Sequence, residues 1–317
     1  MLARSPDLAR VGGFVGSEDP TFTWMKGCVM AILVDKNSRV IVQGITGGAG
    51  KFHTERMLAY GTKIVAGTSP GKGGQEIFDL PVYDTVEEYV RNHNADTSVI
   101  FLPAQFVKEA AIEAIYAGIK LIVVVPEHIP IFDMLLIRKE AQKKGAIVLG
   151  GNTPGIITPG EANLGIIPEI AFSPGRVGTV SRSGSLIYYV ADTLTRTGYG
   201  ETTCVGLGGD PILGTTFDEI LLLFEEDEKT KAVVLVGEIG GVYEEKAKDT
   251  ISKMKKPVIA MVGGVFAPLG KRMGHAGAIV EGEVGTAQSK LKALEQGGAH
   301  IAKTFLDIPE ILKKLGI

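Results

Sequence analysis

From residue 30 onward, short apolar runs of strand length alternate with segments of helical length. The runs are Arg39–Ile45, Lys63–Gly67, Ser98–Leu102, Leu121–Val125 and Ala146–Leu149. Between them lie His53–Tyr60, Thr85–Asn92, Phe106–Ala117 and Ile131–Lys144, which read as helices. The runs are rich in β-branched residues and lack polar alternation, as expected of strands covered on both faces. Regular alternation of β and α predicts a parallel, doubly wound sheet with right-handed crossovers. A segment rich in proline and glycine, Gly150–Gly175, carries no period and reads as a domain junction. The rhythm then resumes, with strands at Arg176–Ser181, Thr203–Leu207, Ala232–Gly237, Pro257–Val262 and His300–Ala302. Helices are expected at Ser185–Thr195, Phe217–Glu225, Glu244–Met254, Ala287–Gln296 and Pro309–Leu315. Two open α/β domains follow, residues 30–155 and 156–317, the second of flavodoxin-like character.

Composition narrows the function. The chain carries 42 glycines in 317 residues without a G-X-Y period, which suits many tight strand-to-helix turns. A formal charge of −3 and a pI near 6.0 argue against a nucleic-acid or membrane-surface partner. Two cysteines, Cys28 and Cys204, provide neither a disulfide framework nor a zinc site and fit a reducing, cytoplasmic compartment. Apolar runs such as Leu121–Val125 end far short of a membrane span. Residues 1–29 have no signal-peptide core, and their acids offset their bases; they read as a disordered extension or a misassigned start ahead of Met30.

Candidate chemistry falls at the ends of the predicted strands. In "GITGGAGKFHTE", Gly44, Gly47 and Gly50 let a backbone turn approach a phosphate at a helix N-terminus. The spacing is not G-x-G-x-x-G, and no acid follows the second strand to hold ribose hydroxyls. Lys72, within "VAGTSPGKGGQ", instead suits a phosphorylated ribose, which fits NADP and coenzyme A alike. Ser183 and Ser185 flank Gly184 at a helix start, where with Arg182 they suggest an anion pocket; Tyr188 lies one turn on. Glu238 ends an apolar strand and so requires a partner, for which a histidine is the natural choice. His275, in "GKRMGHAGAIV", has no metal ligand at suitable spacing; general-base or covalent phosphoryl chemistry remains open to it. Cys204 reads as an inert core thiol and His53 as a cap or surface residue.

The motifs "GKRMGHAGAI", "SRSG", "GEIGG", "GGDP" and "QGITG…GKFH…YGTK…SPGKGG" resemble, in order and from Met30 to the C-terminus, the α subunit of succinyl-CoA synthetase (succinate–CoA ligase, NDP-forming). The resemblance implies a Rossmann-type CoA-binding domain followed by a flavodoxin-like ligase domain. It implies His275 as the phosphohistidine, Glu238 as its hydrogen-bonding glutamate, and Ser183 and Gly184 at the helix that holds the phosphate. Thr46, Gly47, Gly48 and Ala49 match the CoA-binding turn, Lys72 a CoA-contacting lysine, Val125, Pro126 and Glu127 the strand end over CoA, and Tyr188 a position near the acid substrate. Family members often carry Ser-Gln where Gly48-Ala49 stands, and a cysteine where Thr153 stands. Implied with these are an acyl phosphate intermediate, succinate or a similar short acid as substrate, no protein-bound metal on this chain, and a β subunit. That partner would hold nucleotide and Mg2+ in an ATP-grasp domain, in an αβ or α2β2 assembly, since "GGAGKFH" lacks the Walker frame. Two other readings compete: an NADP-dependent reductase, which leaves His275 without a task, and a non-catalytic CoA-binding regulatory protein.

Overall fold

The computed structural model describes residues 32–266, 274–279 and 285–317; the extension expected at 1–29 lies outside the described residues. The first domain runs β1 (Val40–Gln43), α1 (Gly48–Tyr60), β2 (Ile64–Thr68), β3 (Glu76–Ile77), β4 (Leu80–Tyr83), α2 (Val86–Val90), β5 (Thr97–Ile100), α3 (Ala104–Tyr116), β6 (Leu121–Val124), α4 (Ile131–Lys144) and β7 (Ile147–Leu149). Its sheet has the order β3-β4-β2-β1-β5-β6-β7, parallel throughout except for the antiparallel edge pair β3/β4. Numbered along the chain, the parallel strands read 3-2-1-4-5-6. The order reverses between β1 and β5, and ligands of open α/β sheets bind beyond the carboxyl ends at such a switch point.

The second domain runs β8 (Gly155–Thr158), β9 (Ala162–Gly165), β10 (Pro174–Ser181), α5 (Gly184–Arg196), β11 (Glu201–Gly206), α6 (Phe217–Glu226), β12 (Ala232–Glu238), α7 (Tyr243–Lys246), α8 (Lys248–Ile251), β13 (Val258–Gly263), α9 (Ala287–Gln296), β14 (His300–Ile301) and α10 (Ile308–Lys314). Its sheet order is β14-β13-β12-β10-β11-β8-β9. The five parallel strands β10 to β14 read 2-1-3-4-5, with the reversal between β10 and β12. Ser181 and Glu238 end those two strands. Both faces of this sheet are covered: Val190, Leu194, Ile308 and Leu312 pack on one, and Phe217, Ile220, Phe224 and Leu294 on the other.

The stretch Gly150–Gly175 is more ordered than its composition suggests. It contains β8 and β9, an antiparallel pair that extends the second sheet through Ile157 opposite Cys204 and Ile156 opposite Val205. The glycines that mask the period are what let these strands close: a Cβ on Gly155, at φ +109°, would lie 1.9 Å from the Leu164 carbonyl oxygen. The helix expected at Glu244–Met254 is two short helices, α7 and α8, and α1 begins five residues ahead of His53, with glycines in its first turn.

One continuous apolar core joins the domains, running from Val42 and Met57 through Ile156 and Leu164 to Val180, Leu207 and Phe217. Thr62 fastens the seam. Its buried hydroxyl donates to Asn163 O at 2.9 Å and accepts from Asn163 N–H at 3.0 Å. Thr62→Val keeps the shape and leaves both backbone groups unpaired, at about 1–3 kcal/mol for each buried group. The urea midpoint should therefore fall with the m value unchanged; an unshifted midpoint would show that these bonds contribute nothing to docking.

Candidate active site

Two strand ends and one loop build the centre. Glu238, the last residue of β12, is 8 % exposed, and its Oε2 lies 2.7 Å from His275 Nδ1. Its other oxygen, Oε1, forms an ion pair with Arg182 Nη2 at 3.2 Å. Arg182, 1 % exposed, follows β10; its Nη1 donates to Gly240 O at 3.1 Å, and its guanidinium lies over the Tyr243 ring. Arg182 therefore faces inward to Glu238 and is no part of an anion pocket at the α5 start, contrary to the sequence-based expectation. A desolvated guanidinium needs carboxylates within reach, and Glu238 supplies one.

Behind this pair lies a second, deeper one. Glu244 Oε1 accepts the Glu238 backbone N–H at 3.0 Å and is 4.0 Å from Arg182 Nη1. Glu244 Oε2 is paired with the Lys290 ammonium, which also lies 3.5 Å from Glu245 Oε2. Glu244 and Lys290 are fully buried. A Cβ on Gly237 would come 2.7 Å from Glu244 Cγ, so glycine at that strand position lets the carboxylate pass. Sequence reasoning missed Glu244 and Lys290. Lys290 leaves a trace, because the buried positions of α9 are Ala287, Lys290 and Leu294, which puts a cation on the core stripe of an amphipathic helix.

The His275 ring rests on Gly209. A Cβ there would lie 2.3–2.7 Å from ring atoms, so the loop after β11 must be glycine. Gly277 N–H donates to Gly209 O at 3.0 Å, and Gly209 N–H to Asn152 O at 3.1 Å. The next residue, Asp210, points the other way, accepting from Ile129 N–H at 3.1 Å and His128 N–H at 3.3 Å. The Glu238 hydrogen bond holds the His275 imidazole above the ordinary histidine value; burial and the Arg182 charge oppose the shift, while the charges of Glu238 and Asp210 reinforce it.

Ser183 caps α5, its hydroxyl accepting Leu186 N–H at 3.2 Å, and Gly184 opens the helix. The first turn of α5 contains no acid, so its partial positive charge and the N–H groups other than that of Leu186 face no carboxylate of the helix's own. Tyr188 is placed apart from the ion-pair network, packed on the apolar cluster of Ile157, Ile167, Ile187 and Cys204, where burial raises its phenol's proton affinity. Cys204 is fully buried and its thiol is pushed up by that burial. Thr153 donates to Gly206 O at 2.6 Å and accepts Gly155 N–H at 3.0 Å.

In the first domain the turn after β1 leaves Gly47, Gly48 and Ala49 exposed at the start of α1, whose first turn also lacks an acid. A Cβ on Gly48 would meet nothing within 4 Å, whereas one on Gly50 would lie 2.1 Å from Gly44 O. Gly48 thus leaves open space at the mouth of the turn, and Gly44 and Gly50 close it from within. Lys72 Nζ donates to Thr46 Oγ1 at 3.1 Å, and Thr46 shares a hydrogen bond with Ser69 at 2.8 Å. Asp84 braces this loop by accepting the N–H groups of Lys72 and Gly73. Val125, Pro126 and Glu127 follow β6 on the same sheet edge. His53 stacks on Phe101, 5.3 Å between centroids. Among the described residues no cluster of three or more His, Cys, Asp or Glu could hold a metal ion, and no helix is long and apolar enough to cross a membrane.

A family described as CoA binding domain matches residues 35–128, and one described as CoA-ligase matches residues 180–300. Succinate–CoA ligase [ADP-forming] subunit alpha 2 of Archaeoglobus fulgidus is 57% identical over 286 residues, 90% of this chain and 100% of its own. The α subunit of the enzyme of the same name from Methanothermobacter thermautotrophicus is 51% identical over 294 residues, covering 92% and 100%. Among solved structures, ATP citrate lyase from Methanothrix soehngenii in complex with citrate and coenzyme A superposes with a TM-score of 0.81 at 28% identity. The match covers 90% of this chain and 50% of that one, so this chain spans half of that protein's length. The dinucleotide-forming acetyl-coenzyme A synthetase 1 of Ca. Korarchaeum cryptofilum shares the fold, with a TM-score of 0.70 at 21% identity over 88% of this chain and 61% of its own.

The His275 shift has a sign that can be checked. A histidine whose folded value is raised contributes stability below its unfolded value, near 6.5, and loses it as pH rises through the folded value. Glu238→Gln removes the main cause of the shift, so the His275 titration followed by NMR should move to lower pH. A titration that stays in place would sink the pairing as the cause.

Proposed function

This chain belongs to the succinate–CoA ligase α-subunit family, and from that premise we propose how its residues divide the reaction. It is the α subunit of an NDP-forming succinate–CoA ligase. Its N-terminal half carries a CoA-binding domain, which separates coenzyme A from the NADP that the glycine turn and Lys72 left open. We read the boundary as residue 155/156 and the second domain as flavodoxin-like, on its 2-1-3-4-5 strand order.

The observation that carries the reading is the 2.7 Å contact of His275 Nδ1 with Glu238. With the Nδ1 proton held toward that carboxylate, the Nε2 lone pair is the one free to react. In the direction of nucleotide synthesis, phosphate attacks the thioester carbon of succinyl-CoA, and CoA leaves with a proton. His275 Nε2 then attacks phosphorus, the bond from phosphorus to the acyl oxygen breaks, and succinate departs as carboxylate. The phosphoryl group passes from Nε2 to a nucleoside diphosphate, restoring the neutral ring. Glu238 keeps the Nδ1 proton in place throughout, and its pairing with Arg182 fixes its orientation. The α5 start at Ser183 and Gly184 receives the phosphoryl oxygens through backbone N–H groups, worth about 1.5–3 kcal/mol per charge-assisted bond.

Thr46, Gly47, Gly48 and Ala49 cradle CoA phosphate through the open turn, Lys72 contributes a cation, and Val125, Pro126 and Glu127 border the thiol end. Tyr188, on its apolar shelf, lies toward the acid substrate. The nucleotide and its Mg2+ belong to a β subunit. The acid, the nucleotide base and the number of αβ pairs are properties of that assembly, which we place in a reducing cytoplasm.

Two measurements test this. Phosphorylation of the αβ assembly by Mg-ATP should label His275 with acid-labile phosphate, and His275→Gln should abolish the label and lower succinyl-CoA formation by at least about 1,000-fold. Persistence of coupled turnover in that variant would end the reading. Lys72→Ala should raise the KM for CoA by about 5- to 30-fold with kcat nearly unchanged, the signature of lost uniform binding; an unchanged KM would place CoA elsewhere.

A further inference from the structure

We infer that Asp210 is a positioning residue that fixes the distance between the loop bordering the CoA thiol and the bed of His275, an inference that rests on the division of labour above. The two residues after β11 face opposite ways. Gly209 lies under the His275 ring and is held by backbone bonds from Gly277 and to Asn152. Asp210 turns to the first domain, where its carboxylate takes the N–H groups of His128 and Ile129, 82 and 81 residues away in sequence. Those two amides directly follow Val125–Glu127.

Three features mark this as a built joint. Asp210 is 2 % exposed, and a buried carboxylate held chiefly by amides is a costly choice where a neutral side chain would fill the same space. Its charge strengthens both amide bonds beyond what a neutral acceptor supplies. Gly151 leaves room for it, since a Cβ there would lie 2.8 Å from Asp210 Oδ2 and 2.8 Å from Ile129 Cδ1. The loop it fastens includes His128 at φ +62°, a conformation that side-chain-bearing residues rarely hold without support.

The reaction explains why such a joint is useful. In thioester synthesis, succinate takes the phosphoryl group from His275, giving an acyl phosphate as the P–N bond breaks. The CoA sulfur then attacks the acyl carbon, phosphate leaves, and the thiol proton departs with it. One intermediate must be within reach of Nε2 at one end and of sulfur at the other. A displacement of about 1 Å between the two can cost on the order of 100-fold. The His275 bed is made by backbone bonds of Gly209 that do not involve the Asp210 side chain. The Asp210 charge also reaches His275, but as the smallest contribution to its raised value, so loosening Asp210 disturbs the CoA side far more than the nucleotide side.

The test uses the αβ assembly and two variants. Asp210→Asn removes the charge, and Gly151→Ala displaces the carboxylate while keeping its charge. Two rates are followed: phosphorylation of His275 by Mg-ATP, and discharge of the phosphoenzyme by succinate with saturating CoA to form thioester. Phosphorylation should change by less than about 3-fold, and thioester formation should fall by at least about 10-fold in kcat with a smaller change in the KM for CoA. Acyl phosphate trapped by hydroxylamine should rise in the variants. An equal loss in both half-reactions, a loss confined to phosphorylation, or no loss in either overturns the proposal. Should one variant fail to fold, the other decides by the same criteria. Absence of phosphohistidine in the unaltered assembly would instead remove the functional reading itself, and the proposal with it.

Discussion

Everything at the centre of this molecule depends on one carboxylate shared between an imidazole and a guanidinium. Glu238 offers one oxygen to His275 and the other to Arg182, at 2.7 and 3.2 Å, in surroundings that exclude most water. Such an arrangement persists only if the buried charges balance. Arg182 and Lys290 supply two positive charges and Glu238 and Glu244 two negative ones, so these four balance before His275 and the more exposed Glu245 beside Lys290 are counted. Removing one member would leave its partner uncompensated, at a cost of about 3–5 kcal/mol. The set leaves the histidine, 27 % exposed in its side chain, as the member whose protonation and bonding can change.

The same economy of placement governs the backbone. Both sheets carry their candidate groups at the carboxyl ends of parallel strands, and each sheet has a reversal of strand order. The loop after β6 and the loop after β11 meet through Asp210, and the shared core between Met57 and Leu164 keeps that contact from opening. Helix starts without acids occur at both places, α1 in one domain and α5 in the other. Each is a place where negative oxygen can settle against N–H groups that the helix itself cannot satisfy.

Much of this was legible in the chain because the parallel strands are uninterrupted apolar runs. Ile131–Lys144 and Ala287–Gln296 match the observed helices residue for residue, since a left-handed Gly145 stops the first and Thr286 caps the second. The edge pairs were not legible: β3 has two residues, and β8 carries apolar side chains on both faces, so neither shows a period. His275 and Glu238 stand out as polar residues at the ends of apolar strands or glycine loops. Arg182 misleads for the opposite reason, because a cation beside two serines looks like an anion ligand until its inward partners are seen. Lys290 and Glu244 are 46 residues apart, and only the folded chain shows that each neutralises the other.

Thr153 has a chemical consequence of its own. Where the family resemblance leads one to expect a thiol, this chain places a hydroxyl bound to Gly206 O and to Gly155 N–H. The remaining described cysteine, Cys204, is sealed inside the second sheet with its thiol held protonated. Oxidants and alkylating electrophiles thus meet no reactive sulfur along the described path from the glycine turn to His275. The groups proposed for the chemistry, among the described residues, are imidazole, carboxylate and amide, which maleimide reagents leave largely untouched.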